Sequence, residues 1–146
     1  MNHPVLQNMH NKDLGLLLIR FGIGVAFIYH GWQKVENIPG TINFFFTLGL
    51  PAIMAYVIAG IECLGGIAMI LGIAVRVFGI LLAFDMIGAY ILVSSKMISM
   101  RGFGAFELEF VLMTIALGVA FAGAGSYALL NKKCDDCRGG ICKMHK

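Results

Sequence analysis

Four uninterrupted apolar runs, at positions 14–32, 52–75, 77–93 and 106–129, constrain this chain more than any other feature of it. Each is close to the roughly 20 residues that an α-helix needs to cross a ~30 Å hydrocarbon core. The runs are continuous rather than alternating, which argues against membrane strands, where lipid-facing and inward-facing residues alternate. Only 13% of the 146 residues are charged and 59% are hydrophobic, whereas an ordinary soluble domain carries about 25% charged residues. The expected fold class is an all-α membrane protein, a bundle of four transmembrane helices lying in the bilayer. The spans fall at about 14–34, 52–75, 77–95 and 105–130, inside a membrane domain covering 14–131, with a polar lead at 1–13 and a Cys-rich tail at 132–146.

The first run does not have the form of a cleaved signal. It is longer than a signal's apolar region, carries Arg20, and leads into His-Gly-Trp-Gln-Lys instead of a small-x-small cleavage site. Orientation follows from the basic residues between the runs. One face collects Lys12, Arg76, Lys132, Lys133, Arg138, Lys143 and Lys146, and the other only Lys34, Lys96 and Arg101. The excess of Lys and Arg marks the cytoplasmic side, so both termini are expected there, in a multi-pass protein of the inner (plasma) membrane. The net charge of +3 then belongs to basic flanks at the membrane surface and gives no reason to expect a nucleic-acid partner.

Charges inside the runs carry the functional information, because an ionised group at bilayer depth is costly and is normally turned inward and paired. Glu62 lies in Gly60-Ile-Glu-Cys-Leu-Gly-Gly-Ile-Ala-Met, with glycines that allow close approach of a neighbour. In the first run Arg20, Gly24, Phe27, Gly31 and Lys34 share one stripe at helical spacing, with His30 at its edge. Glu62, Gly66, Met69, Ile73 and Arg76 do the same in the second, and Asp85 marks the third. Glu107 and Glu109 lie about 200° apart on a helix and cannot face the same neighbour. Val111, Thr114, Gly118 and Gly125 lie on the side of Glu107, which is therefore expected to face the bundle, with Glu109 solvated.

A rise of ~1.5 Å per residue sorts these charges into two layers. Arg20, Asp85 and Glu62 form an expected inner cluster; His30, Lys34 and Glu107 form an outer one, beneath the Phe44-Phe45-Phe46 segment. Together they make a polar intramembrane pocket, and a base shared by two acids suits it to holding a proton. The opposing reading is that the polar groups only hold the helices in register. The segment at 35–51 is too short to span. It is expected as a short interfacial helix, serving as a lid or as an aromatic anchor. The Gly22-x-Gly24 pair lies within an apolar helix, so close packing explains it better than a nucleotide loop does.

The Arg20 helix ending in Tyr-His-Gly-Trp-Gln-Lys, the Phe-Phe-x-x-Leu-Gly-Leu-Pro linker, the Ile-Glu-x-x-Gly-Gly helix closing on Leu-Gly-Ile-Ala-Val-Arg, and Phe-Glu before a last helix ending in Gly123-Ala-Gly125-Ser-Tyr together resemble the DoxX family. The resemblance runs from about 14 to 130. It implies a four-helix prokaryotic inner-membrane protein, akin to the small subunit of a thiosulfate:quinone oxidoreductase. It carries Arg20, His30, Gly31, Lys34, Glu62, Gly66, Arg76 and Glu107; Asp85 and Glu109 are not carried over. The closing Gly-Ala-Gly-Ser-Tyr departs from the family by lacking its proline.

The tail departs as well. Cys134-x2-Cys137-x4-Cys142-x2-His145 offers four ligands for a tetrahedral zinc-like ion. A CxxC redox pair and an unstructured thiol-rich tail are the competing readings. No haem-ligating histidine pair, dinucleotide fingerprint or cluster-binding cysteine set lies within the runs. The expected function is a subunit of, or partner to, a quinone-linked membrane oxidoreductase, with a soluble redox protein or second membrane subunit as its partner. The alternatives are a non-catalytic anchor or assembly factor for a soluble redox enzyme, and a small proton-coupled transporter. Four helices are few for alternating access, so transport would call for a homo-oligomer.

Overall fold

The structure, a computed structural model, describes residues 12–94 and 107–129, and among these every regular element is a helix. α1 covers Lys12–Glu36, α2 Ile38–Thr47, α3 Ile53–Leu71, α4 Val75–Ala89, and α5 Glu107–Ala122. α4 runs on into a π-helical turn, Tyr90–Ser94. Three helical stretches, Lys12–Glu36, Ile53–Leu71 and Val75–Val93, are long and apolar enough to cross a membrane. α5 spans 16 residues, starting at the first described residue after 94. Large apolar side chains such as Leu18, Phe21, Leu64, Phe84 and Phe121 point outward from several helices. So much contiguous apolar surface suits hydrocarbon and not water.

α1 packs mainly on α3, and α5 mainly on α4. The α1–α3 seam is close because it is built on glycine. A Cβ at Gly24 would sit 2.7 Å from the Gly66 carbonyl oxygen, and one at Gly66 would sit 2.6 Å from the Gly24 carbonyl oxygen. Each backbone thus occupies the space that a side chain on the other would need, as in small-residue packing of membrane helices. Gly66→Val is expected to lower stability by at least the roughly 1–3 kcal/mol typical of overpacking, because backbone on the facing helix cannot yield as a side chain can. Thermal unfolding in detergent, followed by circular dichroism, measures it.

The expected helix over 52–75 is broken near its end. Gly72 takes a left-handed conformation (φ 76°) that closes α3, and α4 starts at Val75. Arg76 therefore leaves the Glu62 stripe and is exposed at the start of the next helix. The core lies where α1, α3, α4 and α5 meet. There Phe27, Met69, Leu82 and Ala116 are fully buried, flanked by Ile23, Ala83, Leu112 and Val119.

α2 forms the short element expected at 35–51. The Asn37 side chain caps it by accepting a 3.0 Å hydrogen bond from the Gly40 N–H, with Pro39 in its first turn. An Asn cap and an early proline each supply what the start of a helix lacks. Phe45 is buried while Phe44 and Phe46 are exposed, so only one of the three phenylalanines is committed to the protein interior.

Candidate functional site

Arg20 is fully buried, yet it pairs with no acid among the described residues. Its Nε donates to the Met69 carbonyl (3.0 Å), Nη2 to the Ile70 carbonyl (3.3 Å), and Nη1 to the carbonyl of Ala124. The last four carbonyls of a helix have no partner within it, and they form the negative end of its dipole. In α3 all four are satisfied. Ala68 accepts from the Gly72 and Ile73 N–H groups, Met69 and Ile70 from Arg20, and Leu71 from the Leu129 N–H at 3.0 Å. The chain after α5 thus lies across this end of the bundle. It is held further by Asp13, which accepts from the Ser126 N–H (3.1 Å) and hydroxyl (2.5 Å).

The acids gather at a different level. Glu62 is 2% exposed, and both its carboxylate oxygens accept from Lys34 Nζ, at 2.8 and 2.6 Å. α1 presents Gly31 against the backbone of Cys63 and the Glu62 side chain, which brings the Lys34 ammonium within reach one turn later. Asp85, from α4, borders the same cavity as Glu62 and Lys34. Its Oδ2 is shielded from solvent and has no hydrogen-bond partner among the described residues. A buried polar atom in that state is uncommon and calls for an explanation.

These three side chains border a cavity of about 430 Å³, within the roughly 300–1,000 Å³ of small-molecule sites. Its walls are mostly apolar, from Met54, Ile58, Leu81, Phe84 and Leu92, and Glu109 of α5 adds a further carboxyl. Phe44, Phe45 and Leu48 close it on the α2 side. α2 is tied to α1 by the Thr41 hydroxyl, which donates to the Lys34 carbonyl at 3.3 Å. The π-helical turn ending α4 contributes Leu92 and Val93, and such turns are frequent at functional sites.

The structure thus regroups the residues expected in the polar pocket. Lys34, Glu62 and Asp85 come together. Arg20 does not join them: its partners Met69 and Ile70 lie seven and eight residues beyond Glu62, about 10 Å or more along α3. His30 is half-buried, packs edge-on against the Tyr29 ring (6.0 Å between centroids), and does not line the cavity. The choice between the α5 acids is reversed, since Glu107 is exposed and Glu109 lines the cavity. α5 buries Leu112, Ala116, Val119 and Ala120, a stripe that continues back to Glu109 at helical spacing. That stripe is the sequence signal for Glu109, whereas Val111, Thr114 and Gly118 on the side of Glu107 are exposed. Cys134, Cys137, Cys142 and His145 of the expected metal set lie outside the described residues.

The model of the DoxX family matches residues 15–95, which contain Arg20, Lys34, Glu62 and Asp85. "Putative oxidoreductase CatD" of Bacillus subtilis (strain 168) is 40% identical over 117 residues, covering 80% of this chain and 85% of that protein. "Inner membrane protein YqjF" of Escherichia coli (strain K12) is 30% identical over 130 residues, covering 84% of this chain and 96% of that one. No solved structure matches. The matched region takes in the whole of α3 and α4 with the acids they carry, and the chain belongs to the DoxX family of membrane proteins.

Proposed function

We propose that the cavity bordered by Lys34, Glu62 and Asp85 receives the headgroup of a membrane quinone, and that the chain is an inner-membrane component of a quinone-linked oxidoreductase system. In this reading α5 is a fourth crossing and both termini face the cytoplasm. The names of the two relatives, one an oxidoreductase and the other an inner-membrane protein, favour the same direction.

The observation that carries the proposal is the composition of the cavity: apolar walls end on an ammonium–carboxylate pair and on a carboxyl oxygen that has no partner among the described residues. A quinone has a matching division, with an apolar ring and chain and two polar oxygens. Lys34 is the donor suited to a carbonyl oxygen, and Asp85 Oδ2 the acceptor suited to a hydroxyl. When bound, a quinone supplies a carrier of two electrons and two protons, the electrons being exchanged with a partner redox protein. The chain's own residues hold protons for it. Glu62 is neutralised by Lys34, which leaves Asp85 as the second acid sharing a single base, and a proton held between the two carboxyls balances the group. The exposed apolar flank of α4, with Leu81 and Phe84, adjoins the cavity and gives a membrane-dissolved molecule a lateral way in.

Photoaffinity labelling and equilibrium binding with a short-chain quinone test the reading on the full-length chain. Asp85→Asn is expected to weaken binding by roughly 10- to 150-fold, the loss of one hydrogen bond to a charged group at roughly 1.5–3 kcal/mol. Leu18→Ala, on the lipid-facing surface, leaves binding unchanged. Absence of saturable quinone binding by the wild-type chain would remove the proposal.

A further inference from the structure

The two ends of the cavity are unlike. Towards the face bearing the start of α1 and residues 123–129, the next layer below Glu62 is Phe27, Met69, Leu82 and Ala116, all fully buried and apolar. Below that layer Arg20 binds the last carbonyls of α3, and the strap at 123–129 crosses over it. No titratable side chain among the described residues lies within that layer, so a proton moving that way would have to cross an apolar layer and then meet a fixed positive charge. Both are strong barriers.

Towards the opposite face the arrangement is polar. Lys34 is 25% exposed through its side chain while its ammonium bonds the buried Glu62, so this residue joins the cavity to the surface. Glu109 is half-buried, stands in the first turn of α5, and lines the same cavity as Glu62 and Asp85. Among the described residues, the charged groups facing the cavity are therefore Lys34 from α1, Glu62 from α3, Asp85 from α4 and Glu109 from α5, while α2 brings only apolar side chains to it.

We propose that this site exchanges protons with the α2 face of the membrane only, and that Glu109 is the side chain through which they pass. Glu109 is a positioning and relay group in this scheme: it accepts a proton from the aqueous side and passes it inward to the Glu62–Asp85 pair, or the reverse, and no other bond changes. The proposal rests on the quinone reading only for what the protons serve. The sidedness itself follows from the apolar layer, the fixed charge of Arg20 below it, and the polar mouth.

The test uses the full-length chain in vesicles of uniform orientation, without quinone, so that its outcome is separate from that of the binding measurement. A rapid pH step is applied to one side, and the infrared band of the buried carboxyls, assigned with Asp85→Asn, is followed in time. The band is expected to respond to a step on the α2 face and to ignore one on the other face. Glu109→Gln is expected to slow the response at least tenfold, and Glu109→Asp to restore most of the rate, which a purely structural role would not require. A second measurement uses Ala89→Cys in a chain whose other four cysteines are serine. A membrane-impermeant thiol reagent should modify it from the α2 face alone. A response to pH on the terminal face, labelling of Cys at position 89 from that face, or a wild-type rate in Glu109→Gln would each overturn the proposal.

Discussion

Arg20→Met is expected to leave little folded protein, although it removes a charge from an apolar interior. Methionine fills much the same space but donates nothing, so the carbonyls of Met69, Ile70 and Ala124 lose their partner. Each buried acceptor left unsatisfied costs about 1–3 kcal/mol. The sum, roughly 3–9 kcal/mol, is comparable to the ~5–15 kcal/mol that stabilises a typical protein. Arg20→Lys is expected to recover only part of it. A lysine ammonium is compact, whereas the guanidinium presents donors on three nitrogens that here reach three separate carbonyls. Size-exclusion profiles in detergent and thermal unfolding by circular dichroism decide the ranking, wild type above Lys above Met. Equal stability of the three chains would show that the α3 terminus does not depend on Arg20.

Lys34→Met is expected to destabilise the protein by about 3–5 kcal/mol, because it strands Glu62 as a buried, unpaired charge. The companion test is the double substitution Lys34→Met with Glu62→Gln. Removing both charges removes the problem, and the double variant should recover most of the stability lost in the single one. Stability and binding then part company, since the double variant folds but lacks the donor assigned to a quinone and one of the two acids that hold its proton. A double-mutant cycle measured by thermal unfolding, with quinone binding measured on the same samples, separates the two roles. If the double variant is no more stable than Lys34→Met alone, the 2.6 Å pair is not an energetic unit.

Much of the inward face of α1 can be read from spacing alone. Arg20, Gly24, Phe27 and Gly31 share a stripe in the sequence and are all buried in the fold, because 3.6-residue periodicity and missing side chains are local properties. The partner of Arg20 was not legible. A charge search in the sequence looks for opposite charges, and here the partners are main-chain carbonyls, which every residue carries and which become available only where a helix stops. The backbone position of Lys34 places it at the membrane boundary, while its long side chain carries the ammonium inward to Glu62. That Glu109 and not Glu107 lines the cavity is hidden from the sequence for a third reason. Periodicity fixes the angle between two residues, but which of them faces inward depends on how α5 rolls against α4, a tertiary quantity.

The fully satisfied end of α3 bears on how the chain is made. Leu71 is synthesised 58 residues before Leu129, whose N–H its carbonyl requires, and Arg20 precedes Ala124 by 104 residues. At ordinary rates of about 5–20 residues per second, roughly 3–12 s of translation separate α3 from its closing contact. During that interval the first three helices can already occupy the bilayer while one helix end stays open. The last step of biogenesis is then the arrival of residues 123–129 at a socket prepared well before them, and a nascent chain halted short of that segment would present an unfinished helix terminus to the proteases and chaperones of the membrane.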